Sequence, residues 1–315
     1  MNIMICGKSF PDVAEYLTSA LEGRLDFRVK TWSRDLAKPP EGVDVVIPLM
    51  ETIDADLLRL VRPRLVQQWG SGLERVDLDA ARALRIPVAN VAATGGNADS
   101  VAEHAILLAL ALLRRLNLAQ ANVYNEKLGT PVGRTIASCT ACVFGLGAVA
   151  LPLARLLKAF GVRLVGLTRD PSAAKIADYR LDDCFSFSDR GACLGQTDIL
   201  FVCARQSQTN AGMIGEDELR MLPKGALVVN VARGGLLDYE AVRKCLDDGH
   251  LGGLGLDVFW KEPFDGDDAI LRAANVVATP HIAGITVDSM RDIAAGVAEN
   301  ILNLSSGTDL TNRAA

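Results

Sequence analysis

Short aliphatic runs alternate with helical patterns along nearly the whole chain, and this alternation restricts the fold more than any single residue does. Residues 3–6, 27–32, 43–49, 65–69 and 88–91 read as strands, with helices at 11–21, 55–61 and 77–84 between them. A long helix is expected over 100–118, then a polar stretch at 122–135. More strands follow at 141–144, 163–167, 199–202, 227–231, 255–258 and 276–278, and a helix over 288–303 closes the chain. Strands separated by helices pair in parallel, because each right-handed crossover returns the chain to the same end of the sheet. The expected class is therefore α/β, with two doubly wound parallel-sheet domains. Length agrees, since 315 residues make about two domains at roughly 150 residues each. Composition agrees too. Hydrophobic residues are 50% and aromatics only 5%, so the apolar half is mainly Ala, Val, Leu and Ile, which suits a sheet covered on both faces.

The same numbers remove several functional classes. Lys and Arg total 33 against 38 Asp and Glu, a net charge of −5; with no basic stripe, no nucleic-acid partner is expected. The longest apolar run, residues 105–113, falls far short of the roughly 20 residues a membrane span needs. It is read as a buried helix, and no membrane partner is expected. The seven cysteines are scattered, and Met1 runs straight into a strand, so a reducing, cytoplasmic setting is expected. Cys139 and Cys142 have the spacing of a redox or zinc pair. Three residues along a strand, however, put the two side chains on opposite faces. Both are read as structural, and no metal is expected.

The strongest local signal is Gly145-Leu146-Gly147-Ala148-Val149-Ala150, after an apolar strand and before a helix at 151–160. The first glycine permits a tight turn, the second lets the backbone approach a pyrophosphate, and the helix N-terminus offers free N–H groups. Dinucleotide sites of this kind usually carry a carboxylate at the end of the next strand, for the ribose 2′-hydroxyl. Here that place holds Thr168-Arg169. A hydroxyl with a guanidinium suits a 2′-phosphate, so NADP(H) is favoured and NAD(H) stays possible. In the alternative reading Arg169 faces solvent and Asp170 serves the ribose.

Three more segments put polar residues just past predicted strand ends, where open α/β sheets bind ligands. They are Asn230-Val231-Ala232-Arg233, the stretch from Asp257 to Glu262-Pro263, and Thr279-Pro280-His281-Ile282-Ala283-Gly284. With the Gly145 loop, Gly70-Ser71-Gly72 and Ser100-Val101-Ala102-Glu103-His104, they resemble the D-isomer-specific 2-hydroxyacid dehydrogenase family. The resemblance implies a Rossmann cofactor domain over 95–282. It also implies a discontinuous, flavodoxin-like substrate domain of 1–94 and 283–315, with the active site in the cleft between the two. It implies a homodimer, with the apolar helix at 101–113 as the dimer element. The implied cofactor site takes in Gly145, Leu146, Gly147, Ala148, Val149, Thr168, Arg169, Cys203, Ala204, Arg205, Asn210, Val231, Ala232, Asp257 and Gly284. The implied substrate site takes in Ser71 and Gly72 through their backbone N–H groups, with Met50, Trp69 and Asn97 around them.

The family chemistry explains the residue types. Reducing a 2-keto acid needs a hydride on carbon and a proton on oxygen. His281 is the candidate proton donor, because an imidazole works in both directions near neutral pH. Glu262 would hold it in one tautomer and favour its charged form. Arg233 offers a fork of donors to the substrate carboxylate and carbonyl. Of the other histidines, His104 is read as buried and hydrogen-bonded, His250 as solvent-facing in a turn.

Two departures narrow the substrate. A formate-oxidising relative typically has Gln where Glu262 stands, so the carboxylate favours ketone and alcohol chemistry. The loop Pro48-Leu49-Met50-Glu51-Thr52 is apolar and acidic where a phosphorylated substrate calls for a cation, and no added regulatory domain is expected after Ala315. A small unphosphorylated acid is expected, such as glyoxylate, hydroxypyruvate or pyruvate, with Leu49, Met50 and Trp69 as pocket walls or core. Arg205 stands where the family commonly has Pro, and with Arg169 it would make a two-cation site for a 2′-phosphate. Rival readings are a dinucleotide-sensing, corepressor-like binding protein and an oxidiser of phosphite or formate.

Overall fold

The structure, a computed structural model, describes residues 1–7, 12–35, 38–92, 96–207 and 209–315. It divides into two units, Met1–Asn97 with Ile285–Ala315, and Ala98–Gly284. The expected 94/95 boundary and the expected helix start at Pro11 lie outside the described residues.

In chain order the first unit runs β1 (Asn2–Cys6), α1 (Val13–Leu21), β2 (Arg28–Trp32), β3 (Val45–Pro48), α2 (Ala55–Val61), β4 (Leu65–Gln67), α3 (Leu78–Ala83) and β5 (Val88–Ala89). Next comes α4 (Gly96–Leu113), then α5 (Leu116–Tyr124), β6 (Thr140–Phe144), α6 (Ala150–Ala159), β7 (Arg163–Thr168), α7 (Ala173–Tyr179), β8 (Asp183–Ser186) and α8 (Arg190–Leu194). The second unit ends with β9 (Ile199–Val202), α9 (Glu216–Met221), β10 (Ala226–Asn230), α10 (Tyr239–Asp247), β11 (Leu251–Leu256) and β12 (Val276–Ala278). The last helix, α11 (Val287–Ser306), returns the chain to the first unit.

Among the described residues both sheets are parallel. The first is ordered β2-β1-β3-β4-β5 and the second β12-β11-β10-β9-β6-β7-β8. Each order reverses once, beside β1 in the first sheet and beside β6 in the second, and such reversals open a crevice at the strand C-termini. Strand alternation builds the cores. In the first unit Ile3, Ile5, Val45 and Ile47 pack with Leu17 of α1 and Val297 and Ile301 of α11, while Met4, Val46 and Val66 pack with Leu57 and Leu58 of α2. In the second, Ala141, Val143, Phe201 and Val229 face α4 and α6, while Cys142, Leu200 and Val228 face α9 and α10. Each fully buried aliphatic side chain contributes about 1.5–3 kcal/mol.

Cys139 and Cys142 belong to opposite core clusters, as strand geometry predicts, and both are buried free thiols. Three expectations are corrected. The helix at 100–118 is two helices, broken where Arg115 takes φ +51°. The break is fixed from outside the helix, because the Leu113 carbonyl accepts the Arg134 N–H at 3.0 Å. The second sheet has an extra strand, β8, which is half-buried along its length and so carries little apolar signal. His250 is half-buried, and its Nε2 lies 2.9 Å from the Leu219 carbonyl instead of facing water. No helix among the described residues is long and apolar enough to cross a membrane.

Candidate active site

The Gly145 loop occupies the reversal point of the second sheet. Gly145 has φ +91°, and a Cβ on it would stand 2.4 Å from the Ala204 Cα. Only glycine lets the loops after β6 and β9 approach this closely. A Cβ on Gly147 would meet nothing within 4 Å, so space lies open over the N-terminus of α6. Ala150, in the third position of the fingerprint, is fully buried and joins the helix to the core. An open cradle at a helix N-terminus fits a pyrophosphate.

The neighbouring loops complete this end of the sheet. Thr168 ends β7, and Arg169 beyond it is exposed. Arg205, after β9, is exposed as well, and neither arginine has an ion pair among the described residues. Asn210 accepts the Ser207 N–H at 2.7 Å and donates to the Arg205 carbonyl at 2.9 Å, so its side chain shapes the loop that carries Arg205. Burial pushes the Cys203 thiol up to about 12, which removes it as a nucleophile.

The candidate catalytic residues follow β10, β11 and β12, which are adjacent in the sheet. Asn230, fully buried at the end of β10, accepts the Ala232 N–H at 3.0 Å and donates to the Arg233 carbonyl at 2.9 Å. Arg233 Nη1 donates to the Ala232 carbonyl at 2.7 Å. Val231 is buried and Ala232 half-buried beneath this turn. Glu262 accepts the Phe259 N–H at 3.1 Å through Oε1. His281 Nδ1 lies 3.1 Å from Glu262 Oε1 and 3.0 Å from Oε2, with the two side chains 34% and 15% exposed. The structure thus brings Glu262 and His281 together across 19 residues of chain.

Sequence reasoning gave Asp257 to the cofactor, and its structural surroundings are those of an anchor. It is 1% exposed. Its Oδ1 accepts the Thr279 hydroxyl at 2.6 Å and the Ile282 N–H at 2.9 Å, and Oδ2 accepts the Ala283 N–H at 2.8 Å. These bonds hold the Thr279 side chain before His281 and the backbone just after it; His281 itself has φ +57°, in the left-handed region. His104 Nε2 is 2.8 Å from the same Thr279 hydroxyl. That hydroxyl gives its single proton to Asp257, so His104 donates to it through Nε2. Burial pushes the His104 pKa below its ordinary value, against the opposing pull of Asp257 at 3.6 Å. The sequence offered no signal for this network, because Asp257, Thr279 and His104 meet only in the fold. Gly284, half-buried, ends the loop.

In the first unit the Asn90 amide donates to the Ser71 carbonyl at 2.8 Å. A trans peptide sets C=O and the next N–H in opposite directions, so the Gly72 N–H points away from Asn90. Leu49 belongs to the core and Trp69 packs against it, while Met50 is half-buried. Asn97 donates to Ser289 Oγ at 3.0 Å.

A family model described as "D-isomer specific 2-hydroxyacid dehydrogenase, NAD binding domain" matches residues 106–283. The chain is 29% identical to D-3-phosphoglycerate dehydrogenase of Archaeoglobus fulgidus over 318 residues, covering 99% of this chain and 59% of that protein. It thus spans little more than half the length of that curated relative. It is 28% identical to glyoxylate reductase of Korarchaeum cryptofilum over 302 residues, covering 89% of this chain and 87% of that one. Among solved structures it is similar to the apo form of D-lactate dehydrogenase from Escherichia coli, with a TM-score of 0.85, 25% identity and all of both chains covered.

Proposed function

Because the chain belongs to the D-isomer-specific 2-hydroxyacid dehydrogenase family, we propose that it moves a hydride between a nicotinamide dinucleotide and a small 2-keto or D-2-hydroxy acid. The observation that carries this reading is the His281–Glu262 pair, 3.0 Å between Nδ1 and Oε2, beside the strand end that presents Arg233. With Nδ1 turned to the carboxylate, Nε2 is the nitrogen that passes a proton to the developing alkoxide. Glu262, through its contact with Nδ1, fixes the ring orientation that presents Nε2. Arg233 meets the substrate's carboxylate and carbonyl oxygens with paired donors, which both orients the acid and polarises the carbonyl. The dinucleotide, when bound, supplies the hydride. The N–H groups of Gly147, Ala148 and Val149 would hold its pyrophosphate.

A small unphosphorylated acid is favoured, with glyoxylate, hydroxypyruvate or pyruvate as the candidates. Glu51, in the loop after β3, would repel a phosphate, and the nearby Arg34 is already bonded to Asp54 and 3.8 Å from Glu51. Similarity to a glyoxylate reductase over 89% of the chain points the same way. Dinucleotide consumption against glyoxylate, hydroxypyruvate, pyruvate, formate and phosphite tests the reading. Turnover is expected with at least one keto acid; turnover with formate or phosphite alone would sink it.

NADP(H) is favoured over NAD(H). Arg169 and Arg205 follow β7 and β9, which flank β6, so their strands lie about 10 Å apart, a span that two arginine side chains can close around a phosphate. Arg205→Ala is expected to raise the KM for NADPH more than that for NADH, and equal effects would remove the two-cation site. The seven free thiols support a reducing, cytoplasmic setting. A second copy of this chain is the proposed partner. Support comes from apolar side chains exposed on the second unit, among them Leu107 of α4, Tyr124 of α5 at 87% and Leu128 at 100%.

A further inference from the structure

Tyr179 carries no marking in the sequence, yet it touches the Gly145 loop from beneath. It is the last residue of α7. Its hydroxyl donates to the Leu146 carbonyl at 3.0 Å and lies 3.5 Å from the Gly147 carbonyl. The Tyr179 and Leu146 side chains pack against the same core cluster. Gly166 of β7 makes room for this packing, because a Cβ there would stand 3.2 Å from Leu146 Cδ1 and 2.7 Å from Leu181 Cδ1.

Peptide planarity gives these contacts a consequence on the opposite side of the loop. A carbonyl and the N–H of the next residue point in opposite directions across a trans peptide. Turning the Leu146 carbonyl to Tyr179 turns the Gly147 N–H away from α7. The Gly147 carbonyl also accepts the Ala150 N–H at 3.1 Å, so the first turn of α6 sets the direction of the Ala148 N–H. Gly147 and Ala148 are exposed, and among the described residues neither N–H has a hydrogen-bond partner. A Cβ on Gly147 would meet nothing within 4 Å, so the space on that side of the loop is open. Burial, with a smaller push from Asp178, raises the Tyr179 pKa above its ordinary value, so the phenol remains a donor at neutral pH.

We propose that Tyr179 is a positioning residue whose hydroxyl, by holding the Leu146 carbonyl, orients the Gly147 N–H toward the pyrophosphate of the bound dinucleotide. The role rests on the dinucleotide reading given above. Tyr179→Phe keeps the ring and removes only the hydroxyl. Isothermal titration of the full chain with NADPH, NADH, ADP-ribose and adenosine 2′-monophosphate tests it. The variant is expected to lose about three- to tenfold in affinity for the three pyrophosphate ligands, the effect of one hydrogen bond. Its affinity for adenosine 2′-monophosphate and its thermal midpoint should match the wild type. Undiminished affinity for the pyrophosphate ligands, or an equal loss for the monophosphate, would overturn the role. A wild-type chain that binds no dinucleotide would overturn the cofactor reading itself, and this role with it.

Discussion

At the scale of single residues, the arrangement around His281 depends on a carboxylate that binds a side chain before it and the backbone after it. Asp257 accepts the Thr279 hydroxyl and the Ile282 and Ala283 N–H groups, and left-handed backbone at a non-glycine residue costs about 1–3 kcal/mol without such support. His281→Gln is expected to lower kcat by about 10²–10⁴-fold while dinucleotide affinity is unchanged, as turnover and titration calorimetry would show. His104 gives a pH signature of a different kind. Its folded pKa is depressed from 6.5 by burial, so between the folded value and 6.5 the unfolded chain binds more protons than the folded one. The resulting stability is complete above about pH 6.5 and is lost as pH falls through the folded value. Thermal midpoints of the wild type should drop on acidification across that window. His104→Gln, which does not titrate there, should show a shallower fall, and parallel curves would contradict the assignment.

At the scale of elements, the loops after β10 and β11 are pressed together at a glycine. A Cβ on Gly234 would stand 2.1 Å from the Phe259 carbonyl carbon, and these two loops carry Arg233 and Glu262. Gly234→Ala is expected to cost about 1–3 kcal/mol in urea unfolding and to reduce kcat more than dinucleotide affinity. A variant with wild-type stability and turnover would mean that the loops have slack. The elements also show what a periodic reading misses. Arg114 and Arg115 are ordinary helix residues in isolation, so nothing local announced that α4 ends at Leu113; the partner of its last carbonyl is Arg134, 21 residues away. Strand β8 escaped because half-buried strands carry only half the apolar signal. The strands that flank the candidate site were legible, since burial on both faces leaves continuous aliphatic runs.

At the scale of the whole molecule, two parallel sheets each reverse their strand order once, and the candidate dinucleotide loop sits at the reversal in the second. The exposed apolar side chains after α4 bear on assembly. Val123, Tyr124, Leu128 and Val132 are all exposed on the second unit, and burying them against a second copy would remove apolar surface from water. Sedimentation at micromolar concentration is expected to show a dimer of the 33.6 kDa chain, with Leu128→Glu shifted toward monomer. A wild type that sediments only as a monomer would rule the dimer out.

The α/β class, the Gly145 loop and the order of Arg233, Glu262 and His281 were legible in the chain alone, because periodicity, turn chemistry and spacing are local properties. Tertiary structure decided what those residues lean on. Asp257 joined His104 through Thr279, Tyr179 came to lie under Leu146, and Gly234 met Phe259, in each case across dozens of residues. Such contacts leave no local pattern, since a side chain's partner is chosen by where strands and helices pack, and packing is settled only when the whole sheet has formed.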